Sequence, residues 1–132
     1  MHPEVEQIST DPDPFEAYRI SQAMRVGDLV YTSGQAAIDL QGNLVGVGDF
    51  DAQAEQVFAN LRAVLEAADS GLEQIVKVTI FLTDMSNFPK IVALRERYFS
   101  QPYPADTIVE VRSLALPELE IEIEAIAVSS QS

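Results

Sequence analysis

The stretch from Pro102 to Val128 reads PYPADTIVEVRSLALPELEIEIEAIAV, and its reading decides the fold class. Two segments in it alternate. In Thr107–Ser113, Val109 and Val111 share one side, and Ile108, Glu110 and Arg112 share the other. In Leu119–Val128, Leu119, Ile121, Ile123 and Ala125 point one way, and Glu120, Glu122 and Glu124 the other. Successive side chains of a strand leave opposite faces, so each segment predicts a half-buried strand. The five residues between them, Leu114–Glu118, contain Pro117 and suffice to close an antiparallel hairpin. In that hairpin Ser113 faces Leu119, Arg112 faces Glu120 and Glu110 faces Glu122. Carboxylates directly opposite one another destabilise a sheet. The pairing therefore predicts water, a ligand, a proton or a cation on that face.

Upstream, residues 1–16 read as a polar, irregular lead-in carrying Pro3, Pro12 and Pro14. Ile20–Arg25 and Leu29–Ser33 are short strands around a Gly27-Asp28 turn. Asp39–Gly48 is a loop or short strand pair turning at Gln41-Gly42-Asn43. Asp51 is expected to cap a helix whose apolar face carries Val57, Phe58, Leu61, Val64, Leu65 and Ala68, with Gly71 as its left-handed stop. Ile75–Thr83 alternates as a strand. Ser86 or Asn87 caps a second helix with Pro89 in its first turn and Ile91, Leu94 and Tyr98 inward. Two helices that each link strands are expected to lie on one face of a single sheet, an α+β arrangement in one domain spanning residues 1–132. The opposite face would carry Glu110, Arg112, Glu120, Glu122, Glu124, Lys77 and Thr79 mixed with Phe81 and Ile108. A face of that mixture predicts a subunit interface with polar pockets.

Composition narrows the chemistry. The chain holds no cysteine, which excludes disulfides, thiolate nucleophiles and cysteine-ligated zinc and predicts a cytoplasmic location. No apolar run is long enough to span a membrane, and Met1-His2-Pro3 opens no signal peptide. The net charge of −13 repels a phosphate backbone, and the eight Lys and Arg are scattered, so nucleic-acid binding is disfavoured. His2 is the single histidine, beside the terminus, which argues against a histidine triad, general base or metal site. Gly46-Val47-Gly48 is a lone fragment of a dinucleotide fingerprint without its third glycine. Ser33 lacks a visible base. The carboxylates Glu110, Glu120, Glu122 and Glu124 are the general-base candidates, against the alternative of a merely solvated strand face.

Several runs carry a family resemblance. Ser21-Gln22-Ala23, Val26–Gln35, Asn60-Leu61, Val76–Met85, Asn87-Phe88, Pro104-Ala105, Val109–Val111 and Ile121–Ala127 resemble the RidA (YjgF, L-PSP) family, in order and with compatible spacing from about residue 18. The resemblance implies a chorismate-mutase-like fold. It further implies a homotrimer whose sheets line a barrel, with small-molecule clefts between subunits. The implied activity is cofactor-independent hydrolysis of reactive imines and enamines to ammonia and a 2-oxo acid. By the same resemblance, Ser33 and Gly34 match substrate-binding positions and Glu122 matches the glutamate that positions water. Three positions depart. Ile20 stands where a tyrosine is usual, Val92 where an asparagine is, and Asp106 where an arginine grips the substrate carboxylate. Arg19, Arg95 and Arg112 are the candidates to replace that arginine. Two main expectations follow: a divergent hydrolase whose substrate is neutral, cationic or held by another arginine, or a trimeric binding or regulatory protein without turnover. An endoribonuclease-like translation inhibitor ranks third because of the charge.

Overall fold

The structure, a computed structural model, describes residues 4–130. Its strands are β1 (Val5–Ile8), β2 (Ala23–Val26), β3 (Leu29–Thr32), β4 (Gln35–Ala36), β5 (Ile75–Leu82), β6 (Ala105–Glu110) and β7 (Ile121–Val128). The helices are α1 (Phe50–Ala67) and α2 (Phe88–Tyr98). The strands form one mixed sheet in the order β1-β2-β3-β7-β5-β6, and β4 also pairs with β7. This is the expected α+β, chorismate-mutase-like arrangement.

The core lies between the sheet and the two helices. Phe58, Leu61 and Leu65 of α1 and Ile91 of α2 pack on Val78, Ile80 and Leu82 of β5 and on Ile121 and Ile123 of β7. Each such aliphatic side chain withdrawn from water contributes about 1.5–3 kcal/mol before conformational entropy is counted. Phe58 also stacks on Tyr98, with ring centroids 4.1 Å apart, which fastens the two helices to each other.

The predicted hairpin between the last two strands does not form. β5 lies between them, antiparallel to β7 and parallel to β6. The physical reason is burial. β5 alternates over eight residues with one deeply buried side, so the sheet centre is its best place. A parallel β5–β6 pair needs a crossover, and α2 supplies it. Residues 111–120 then cross back to β7, pinned where Leu114 and Leu119 pack on Ala36 and Ala37.

The new pairing corrects the faces. Glu110 stands opposite Leu82 and Glu122 opposite Phe81, so the two carboxylates leave opposite faces. Glu110 accepts a hydrogen bond from the Met85 N–H at 2.8 Å. Ile108 packs against the helix-side core. Glu120 also turns to the helix side, where its carboxylate accepts from Gln53 Nε2 at 3.3 Å and its N–H donates to Gln53 Oε1 at 2.8 Å. The open face carries Lys77, Thr79 and Phe81 of β5 beside Thr107 and Val109 of β6 and Glu122, Glu124 and Ile126 of β7.

Smaller expectations shift too. Residues 1–16 are not wholly irregular. β1 pairs with β2, and buried Arg25 ties it down through an ion pair with Glu6 and a 3.1 Å bond to the Ala68 carbonyl at the end of α1. The cap of α1 is Asp49, not Asp51, and its carboxylate accepts from the Ala52 N–H at 3.1 Å. Asp51 lies in the first turn, where a negative charge suits the helix dipole. The left-handed residue after α1 is Asp69, at φ 56°, while Gly71 is extended. The Gly27-Asp28 turn stands as expected, with Gly27 at φ 59°. At the Asp39–Gly48 loop a single bridge joins Ile38 to Leu44.

Candidate functional site

Four of the six predicted site residues come together within the chain. Ile20, Ser33, Gly34 and Glu122 line one concavity of about 520 Å³. β7 supplies Glu122 from its open face, and β4, paired beside it, places Ala36 directly opposite. The Ser33-Gly34 link between β3 and β4 crosses over the carboxylate. A Cβ at Gly34 would stand 2.2 Å from Glu122 Oε2, inside any allowed contact. Gly34 is thus glycine because the Glu122 carboxylate occupies the space where a side chain would begin.

Ser33 is fixed on the same link. Its N–H bonds the Gln22 carbonyl at 2.8 Å and its hydroxyl donates to the Ser21 carbonyl at 2.6 Å. The hydroxyl proton is committed to that carbonyl, so nothing here prepares Ser33 as a nucleophile. Buried Asn60 of α1 holds the far wall by donating to the Ala36 and Ile38 carbonyls at 2.9 and 2.8 Å.

Burial raises the pKa of Glu122, and the neighbouring Glu124 charge adds to the rise. The like-charge neighbour is therefore Glu124, two residues along the same strand face, rather than Glu110 across a hairpin. A carboxyl held in this way keeps its proton to higher pH and is a stronger base once it loses it.

Val92 and Asp106 lie elsewhere in the chain. They line a second concavity of about 510 Å³ between α2 and β6, together with Phe88, Tyr103 and Arg95. Arg95 Nε and Nη2 each donate to one Asp106 carboxylate oxygen at 3.0 Å. Of the three candidate arginines, Arg95 alone reaches a concavity that holds predicted site residues, and it is paired there. Arg19, at φ 62°, and Arg112 line neither concavity.

Sequence reasoning missed the walls. Phe15 and Tyr18, on the turn that ends at Ile20, line the first concavity with Leu44, Leu116 and Leu119. The signal was present as aromatic residues standing among prolines and acids, Phe15 within the 1–16 lead-in and Tyr18 just beyond it. Among the described residues, no group of three or more His, Cys, Asp or Glu side chains is placed to hold a metal ion. His2 lies outside the described residues. Among those residues, no helix is long and apolar enough to cross a membrane.

The family model described as Endoribonuclease L-PSP matches residues 9–129. The chain belongs to the endoribonuclease L-PSP family. A RutC family protein of Sinorhizobium fredii, y4sK, is 41% identical over 123 residues, covering 92% of this chain and 96% of that protein. A Dermatophagoides farinae protein named 2-iminobutanoate/2-iminopropanoate deaminase is 37% identical over 117 residues, covering 89% of each chain. Among solved structures, yeast Mmf1 superposes with a TM-score of 0.88 at 37% identity, over 96% of this chain and all of that one. One of these relatives is thus named as a deaminase of small imines. The family match begins at residue 9, so it includes the turn that bears Phe15, Tyr18 and Ile20.

Proposed function

We propose that this L-PSP family member is a cofactor-independent hydrolase of small reactive imines and enamines, with Glu122 as its catalytic carboxylate. The observation that carries the proposal is the partly buried Glu122 carboxyl, raised in pKa and seated under Gly34 in an open concavity. The deaminase named among the relatives supplies the reaction class. Water adds to the carbon of C=N while Glu122 takes its proton. The nitrogen receives that proton, giving a carbinolamine; Glu122 then takes the hydroxyl proton and passes it to the amine nitrogen, so that the C–N bond breaks, the carbonyl forms and ammonia leaves. Ser33 and Gly34 shape the substrate's seat, and Ile20 forms its wall.

In this proposal the single domain assembles as a homotrimer in the cytoplasm. Val92 and Asp106 of one subunit complete the cleft around Glu122 of its neighbour, which explains why one chain carries the two groups apart. Asp106 then stands where the family resemblance expects the carboxylate-gripping arginine, so substrate specificity is altered. The second reading is a trimeric small-molecule-binding or regulatory protein without turnover, favoured by that same substitution. RNA cleavage ranks third, because a net charge of −13 opposes a phosphate backbone.

The test is a panel of imines generated in situ, with ammonia release followed against buffer alone. Accelerated release from any member supports the hydrolase. Ligand-induced rises in melting temperature with no accelerated release across the panel would favour the binding protein.

A further inference from the structure

We propose that the concavity beside Glu122 takes C=N compounds that carry a hydrocarbon group and no carboxylate, and that it rejects the imines of 2-oxo acids. This rests on the hydrolase reading above and names its substrate class.

The walls argue for it. Phe15, Tyr18, Ile20, Leu44, Leu116 and Leu119 surround the space, and among the described residues no Lys, Arg or His lines it. Among the described residues Glu122 is its only carboxylate. A substrate carboxylate entering here would lose its water, meet no cation and stand beside a second negative charge. A neutral imine carries its basic atom at the nitrogen alone, where a proton faces Glu122 to advantage. Its hydrocarbon end replaces water against apolar walls.

The second concavity offers no rescue. Among the described residues Arg95 is its only cationic side chain, and its Nε and Nη2 both donate to Asp106. Glu96 adds a further acid. If a neighbouring subunit brings this surface over Glu122, the combined cleft gains an ion pair that is already closed. The Asp106 carboxylate already neutralises this guanidinium, so a substrate carboxylate arriving here meets no net positive charge and only the donors left over from the pair.

The experiment compares two imines of matched size. An amine oxidase makes the neutral one from 2-phenylethylamine, and an L-amino-acid oxidase makes the acidic one from phenylalanine. Ammonia release is measured with wild-type protein and with Ile20→Arg, which adds a cation to the wall at a half-exposed position. The neutral imine should be favoured at least about 100-fold in kcat/KM, the scale of one uncompensated like-charge contact. Ile20→Arg should cut that preference about tenfold or more. Equal or faster turnover of the acidic imine would overturn the charge assignment and leave the hydrolase standing. An unchanged preference in Ile20→Arg would overturn the assignment to this concavity. Failure to turn over either imine would overturn the substrate class, and a silent wider panel would remove the hydrolase reading with it.

Discussion

Arg95 and Asp106 form a two-pronged ion pair across the α2–β6 seam, with Nε to Oδ2 and Nη2 to Oδ1 both at 3.0 Å. Their side chains are 26% and 19% exposed, so solvent screens the pair only in part. The carboxylate at position 106 is therefore built into the fold with its own partner. Asp106→Arg alone would set two guanidinium groups side by side. It should lower stability by about 1–3 kcal/mol and restore no activity toward imino acids. The double variant Arg95→Ala/Asp106→Arg frees the new arginine, and it should gain turnover of carboxylate-bearing imines. Equal behaviour of the single and double variants would break the link between the pair and specificity.

Gly34 and Glu122 are coupled by space. A Cβ at position 34 would stand 2.2 Å from Glu122 Oε2, 2.7 Å from Cδ and 2.9 Å from Cγ, so the flexible glutamate side chain must swing to another rotamer. Gly34→Ala should thus leave the melting temperature close to wild type while lowering imine hydrolysis at least about tenfold, because a displaced base loses its aim. Unchanged hydrolysis in a folded Gly34→Ala protein would show that the carboxylate position is immaterial.

The raised pKa of Glu122 makes a statement about stability. The native state holds this proton more tightly than the unfolded chain does. Its contribution is therefore full below the ordinary carboxylate pKa and is lost as pH rises through the raised native value. Glu122→Gln removes that loss. From about pH 4 to pH 7 the wild-type melting temperature should fall relative to that of Glu122→Gln. The base limb of the rate should also rise with an apparent pKa above the usual glutamate value. A constant gap between the two melting curves would contradict the assigned shift.

Asp49 and Asp51 make a local contrast at the start of α1. Asp49 bonds the Ala52 N–H, whereas Asp51 lies in the first turn and pairs with Lys90 at the surface. Asp49→Ala should cost about 1 kcal/mol and Asp51→Ala less than half of that, measured by urea unfolding. A larger loss at Asp51 would reverse the capping assignment.

Assembly is tested by mass. Light scattering should return about three times the 14.5 kDa chain mass. The open sheet face bearing Lys77, Thr79, Phe81, Val109 and Ile126 would be covered between subunits. A monomer at micromolar concentration would remove the shared cleft.

What could be read ahead of the structure follows from which interactions are local. Periodicity marked β5, β7 and both helices, because a face buried against the core repeats along its own segment. Pairing was not legible, since Leu114–Glu118 is long enough for a hairpin and nothing nearby says that β5 intrudes. The error moved Glu110 to the wrong face and gave Glu122 the wrong neighbour. At the site, Ser33, Gly34 and Glu122 were named through family resemblance, and Asp106 as a departure from it. That Arg95 would close on Asp106 depends on where α2 lies over β6, which one-dimensional spacing does not encode. Phe15 and Tyr18 were hidden for another reason: a single turn has too few residues to show a period.

The central claim is that Glu122 does chemistry on a C=N bond, and the direct measurement is ammonia release by wild type and Glu122→Gln on the same neutral imine. Both proteins should have the same assembled mass, and Glu122→Gln should lose at least about 100-fold in rate, the usual scale of a general base. A folded Glu122→Gln protein that keeps the full rate would contradict the account.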